Sequence, residues 1–245
     1  MLQFSQHNIL SRAHVLRMTM LSQRAVDYSI KAYRLNSAEL CRQVMSIKRD
    51  LSKLEVRIGD RGRAFVAAGA HIDSHSPFAC SSLRIYSSLR VMFTAATEIA
   101  QNITILAALS PKTIFPQTVE TGNTVNSLVR LCSVALFDQK MSLAKQVLHV
   151  EGGRRRLDLE LHRARLDLFR RSDTHCRCEL AIANCIGQIA EQVYETAEGI
   201  IAWLENGDCV HYAGPNTMSA QQTGQYRLWL EHFAGFNRTR TLTLQ

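Results

Sequence analysis

Histidine, cysteine and acidic side chains crowd together at two places in this 245-residue chain. His175-Cys176-Arg177-Cys178-Glu179 brings an imidazole, two thiols and a carboxylate into one short stretch, with Cys185 a little further on. These are zinc-ligand types. A structural zinc site usually takes four ligands from two separated pairs, however, and no second pair stands at a finger-like spacing. The stretch Asp173 to Cys178 therefore reads as a polar connector with incidental thiols. His71-x-Asp73-x-His75 offers two imidazoles and an acid that could hold iron or zinc. Polar loops often carry such residues without a metal, so it takes the same discount.

Nothing in the sequence reads as catalytic. There is no G-x-S-x-G elbow, no glycine-rich phosphate loop and no H-E-x-x-H pair. Gly152-Gly153-Arg154-Arg155-Arg156 is a glycine pair before an arginine run, without the Lys-Ser/Thr of a nucleotide loop. It is either a solvated turn or a docking patch for an acidic partner or lipid headgroups. The chain is expected not to be an enzyme.

Helices must position these residues. From Leu83 the apolar positions Tyr86, Leu89, Phe93, Ala96, Ala100, Ile103 and Ala107 recur every three or four residues, so one stripe faces a core. Ala183, Ile186, Ala190, Val193, Ala197, Ile200 and Leu204 repeat the pattern, as do Leu40, Val44, Leu51, Leu54 and Ile58, and Val125, Leu128, Cys132, Ala135 and Leu136. No alternating stretch bounded by turn residues predicts a hairpin. Ser76 and Pro77 suit the start of a helix. Ser110 to Pro116, with two of the four prolines, divides the chain into halves, and Gly207 suits the end of the last long helix.

Composition bounds the partners. The net charge is +8 and the isoelectric point about 9.3, which points to an acidic partner: nucleic acid, anionic lipid, phosphate groups or an acidic protein face. The basic run Arg154 to Arg156, Arg163, Arg165, Arg170 and Arg171 falls on one predicted helix. The helices are too long for a helix-turn-helix reader, so nucleic acid is set aside. Apolar runs such as Ile105 to Leu109 fall far short of a roughly 20-residue membrane span. Seven cysteines and no export signal in the first twenty residues fit a reducing, cytoplasmic setting.

An internal repeat fixes the expected architecture. Asn36-x3-Leu40-Cys41-x2-Val44-Met45 returns as Gln139-x3-Leu143-Ala144-x2-Val147-Leu148, and Ile99-Ala100 corresponds to Ile189-Ala190. Each half reads helix–helix–helix. The fold class is all-α: two tandem three-helix bundles over residues 1–112 and 117–212, with a tail over 213–245.

In this order and register the chain resembles the PhoU family of phosphate-signalling regulators. Asn36, Leu40, Cys41, Val44, Met45, Lys48, Leu51, Leu54 and Glu55 keep the apolar frame of that family's second helix, and Pro77-Phe78-Ala79-Cys80-Ser81-Ser82-Leu83-Arg84 is similar to the opening of its third. Gly187-Gln188-Ile189-Ala190-Glu191-Gln192-Val193-Tyr194-Glu195-Thr196-Ala197-Glu198 keeps the frame of the signature that ends each third helix. In the first half only Ile99-Ala100 survives of that signature. Arg57-Ile58-Gly59-Asp60 spells part of it but lies in the second-helix frame, where Ile58 is expected to be core.

The resemblance implies a regulator of phosphate uptake and phosphate-starvation signalling. It would dock on the ATPase of a phosphate ABC transporter and on a sensor histidine kinase, with a homodimer and peripheral inner-membrane association in keeping with the helices and the charge. It also implies metal sites built on acidic i, i+4 pairs, because such a pair projects two carboxylates from one helical face. Glu191 and Glu195 are the best remnant, with Glu98 near Asn102 in the other half. The expected cofactor is therefore none, or a weakly bound iron, zinc, magnesium or manganese ion. Arg84, Arg154, Arg155 and Arg156 are the expected docking residues. The alternative is a basic helical adaptor or nucleic-acid-binding protein with no phosphate role.

Overall fold

The computed structural model describes residues 12–67, 77–109, 115–149, 162 and 174–207. Every regular element among them is an α-helix: α1 (Arg12–Leu35), α2 (Ala38–Ala67), α3 (Pro77–Ala108), α4 (Pro116–Phe137), α5 (Met141–His149) and α6 (Thr174–Gly207). The prolines at 77 and 116 each open a helix, where a missing N–H costs nothing. Residues 57–60 lie inside α2, so the partial signature there belongs to the second-helix frame; Ile58 is half-buried rather than core.

Where the repeat begins, the backbone repeats as well. Helix α1 ends with Asn36 in the left-handed region at φ 47°, and α4 ends with Gln139 there at φ 54°. The N–H of Ser37 donates to Ala32 O at 3.0 Å, and the N–H of Lys140 donates to Ala135 O at 2.9 Å. Both are the six-to-one closure of a Schellman motif, which usually carries glycine. A glutamine is costlier than glycine in that conformation. After the turn, Cys41 and Val44 of α2 are buried, as are Ala144 and Val147 of α5.

The packing maps onto itself when the halves are exchanged. Helix α1 packs on α2, α3 and α4; α4 packs on α5, α6 and α1. The most extensive interface joins α3 to α6, which belong to different halves. Four long helices thus share one core, with α2 flanking α1 and α3, and α5 flanking α4 and α6. Ile85, Leu89, Met92, Ile99 and Ile103 of α3 interlock with Ile182, Ile186, Ile189 and Ile200 of α6, all essentially inaccessible. Close approach has a local cause: a Cβ added at Gly199 would lie 2.8 Å from Ile85 Cγ1. Met1–Cys209 accordingly clusters as one compact unit. The tail, residues 213–245, falls outside the described residues.

Two sequence expectations change. The stretch from Thr174 to Cys178 is the first turns of α6, not a connector. Ser81–Ala108 is long and apolar enough, by length and composition, to cross a membrane. The short apolar runs hid this because small residues and hydroxyls separate them. Half of that stretch is buried inside the bundle, and packing between α1 and α6 accounts for its apolar character.

Candidate functional site

The acidic face expected to bind metal lies on the C-terminal half of α6, beside the start of α3. Glu191 is exposed; Glu195 and Glu198 are 40 % and 45 % exposed. Arg84 reaches across from α3 and donates from Nη2 to Glu195 Oε2 at 2.6 Å and also to Glu198 Oε2, with Nε 3.2 Å from the same Glu195 oxygen. Hydrogen bonding to Glu195, and then to Glu198, strengthens the hold of Arg84 on its proton. A guanidinium is thus the counter-cation on these carboxylates. In the other half, Asn102 donates to the backbone oxygen of Glu98 at 2.9 Å, and the Glu98 carboxylate accepts from Cys185 Sγ at 3.3 Å. No group of three histidine, cysteine or acidic side chains among the described residues converges to hold a metal ion. These residues do not fit a resident metal.

The thiol cluster also fails to converge. Cys176 and Cys178 are both buried, and Cys176 packs with Ala183, Phe115 and Leu180. Two residues apart on a helix, they point about 200° from each other. His175 is half-buried. The thiols are core-filling small residues; burial pushes Cys132 and Cys185 up to about 12, the latter also through its bond to Glu98. His71, Asp73, His75 and Arg154, Arg155 and Arg156 lie outside the described residues.

Two buried polar clusters escaped the sequence reading. The first joins the halves where α1 meets α4. Asp27, 2 % exposed, accepts from Asn126 Nδ2 at 2.9 Å, from Lys31 Nζ at 2.7 Å and from Arg130 Nη2. Burial alone would raise its pKa; the bonds from Lys31 and Asn126 and the charge of Arg130 outweigh it and hold the carboxyl below its ordinary range. The repeat relates two of its members, although it does not foretell that they meet. In the register that sets Gln139 on Asn36, Asp27 falls on Arg130, so equivalent positions of opposite charge meet across the pseudo-twofold axis.

The second cluster lies where the end of α1 meets the start of α6. Glu179, 1 % exposed, accepts from the Tyr33 hydroxyl, and that hydroxyl accepts from the N–H of Phe115 at 3.3 Å. Burial pushes Glu179 up to about 7, with the Tyr33 bond opposing it. Burial and the adjacent carboxylate push Tyr33 well above its ordinary range. The chain thus ties three segments from both halves together with one carboxyl group. No local pattern foretold it, because a glutamate after Cys178 looks like any helix-surface acid.

No protein-family model matches this chain, and no curated protein matches it by sequence. Solved structures do. The crystal structure of PhoU from Pseudomonas aeruginosa superposes with a TM-score of 0.65 at 21 % identity, over 80 % of this chain and 95 % of that one. The phosphate transport system regulatory protein PhoU from Streptococcus pneumoniae gives 0.60 at 15 % identity, over 81 % and 94 %. The chain has the duplicated helical-bundle fold of these PhoU structures, and the resemblance read from the sequence agrees with it.

Proposed function

We propose that this chain is a PhoU-like regulator of phosphate uptake and phosphate-starvation signalling. It acts by protein–protein docking, on the ATPase of a phosphate ABC transporter and on a sensor histidine kinase. The observation that carries this reading is the match over nearly the whole length of two PhoU structures, beside an internal repeat whose left-handed turn recurs at Asn36 and Gln139. The role is regulatory rather than enzymatic. The protein works in the cytoplasm as a homodimer, with peripheral contact to the inner membrane aided by its +8 charge. Metal is held weakly or not at all, since Arg84 already neutralises Glu195 and Glu198. Arg154, Arg155 and Arg156 add to the docking surface.

The test is deletion of the gene, with phosphate uptake and a phosphate-responsive promoter measured in high and low phosphate. Starvation signalling that stays on in ample phosphate is the expected result. Unchanged uptake and unchanged transcription would reject the phosphate role and leave the basic helical adaptor as the better reading.

A further inference from the structure

Helix α2 packs on α1 and α3 and leaves one long face outward. Arg42, Met45, Arg49, Ser52, Lys53 and Val56 are all exposed, and at about 100° per residue they share that face. No acid lies along its centre. Glu39 and Asp50 stand at one edge, bridged to Arg42 and Lys53, while Glu55 turns toward α3 and pairs with Arg90 at 3.1 Å. Met45 and Val56 are 38 % and 59 % exposed, apolar side chains set among cations. Met45, Arg49, Ser52 and Val56 step by four, three and four residues, the spacing along which a second helix lies.

Part of the pattern recurs where folding does not demand it, although Arg49 falls on Gly152. The register that sets Gln139 on Asn36 carries Arg42, Met45, Lys53 and Val56 to Lys145, Leu148, Arg156 and Leu159 in the sequence. On α5, Lys145 is exposed and Leu148 half-buried; the other two lie outside the described residues. Burial enforces the inward stripe of both helices. It does not enforce an outward one.

We propose that the outer face of α2 docks an acidic amphipathic helix of a partner protein. The partner's apolar residues seat on Met45 and Val56, and its flanking carboxylates meet Arg42, Arg49 and Lys53. A second copy of this chain would bring like charges together across the seam, so self-association uses another surface. A lipid bilayer fits less well, because helices that lie in a membrane interface present Trp, Phe or Leu on their apolar side, and this face presents none. The proposal rests on the docking mode of action above and gives the partner its chemistry.

The probe is a fluorescent synthetic helix with a leucine seam flanked by glutamates, titrated by anisotropy against the whole chain. A scrambled peptide of equal composition and vesicles of phosphatidylcholine with phosphatidylglycerol run alongside. The amphipathic helix is expected to bind about tenfold tighter than its scramble. Arg49→Glu with Lys53→Glu lowers that affinity about tenfold or more, whereas Lys140→Glu with Arg177→Glu, the same charge change elsewhere, leaves it unaltered. Should the first pair lose helix content by circular dichroism, Val56→Asp carries the test, because it alters the seam without touching a cation. Equal affinity for the scramble, equal weakening by the second pair, or binding to the anionic vesicles in preference to the peptide overturns the proposal. Unchanged phosphate physiology on deletion, with peptide binding intact, would reject the phosphate role alone.

Discussion

Glu179 makes the folded chain sensitive to pH in a direction opposite to most carboxylates. Burial holds it at about 7, and among the described residues only the Tyr33 hydrogen bond opposes that. The unfolded chain releases this proton in the ordinary glutamate range, about 4.3. Between those values the folded state holds a proton that the unfolded state has lost. Stability conferred by the neutral carboxyl is therefore full at low pH and falls as pH rises, until Glu179 has ionised. Each pH unit in the window costs about 1.4 kcal/mol, or about 4 kcal/mol across it. Glu179→Gln keeps the acceptor for Tyr33 and cannot ionise. Urea unfolding at pH 5, 6, 7 and 8 should find the variant gaining on the parent by about 2.5 kcal/mol between pH 5 and pH 8. The difference isolates this group, because all others titrate alike in both proteins. Parallel stability curves over that range would show that Glu179 is ionised, or solvated, in the folded state, and would refute the reasoning.

Asp27→Ala should cost about 3 kcal/mol in the same assay, since it removes the buried carboxylate that Arg130, Lys31 and Asn126 all bond. Because Asp27 is held below its ordinary range, the stability it adds is present above that range and is lost as the solution is acidified through its folded value, which the variant should not show. Gly199→Ala should lower stability by about 1–3 kcal/mol, because the new methyl meets the branched Cγ1 of Ile85 rather than a flexible chain end. Arg84→Gln should change stability by less than about 1 kcal/mol, as its pairs with Glu195 and Glu198 are solvent-facing. If that arginine is the counter-cation of the acidic face, the variant should also bind Mn2+ more tightly than the parent by calorimetry; equal binding would remove that role.

The sequence by itself determined the helices and their duplication. Apolar positions at steps of three and four set the inward faces of α2, α3, α4 and α6, and the repeat from Asn36 and Gln139 reappeared as a shared left-handed turn and a shared hydrogen bond. These are local facts: periodicity selects the buried face, and a Schellman closure depends on a few neighbouring residues. Only the tertiary structure decided that the halves share one core through α3 and α6, that Asp27 meets Arg130, and that Glu179 turns inward to Tyr33. It also decided that Arg84 pairs with Glu195 and Glu198 of α6. The physical reason is common to all four. A buried charge or an interhelix ion pair depends on which faces meet across more than a hundred residues of chain, and no spacing within one helix encodes that.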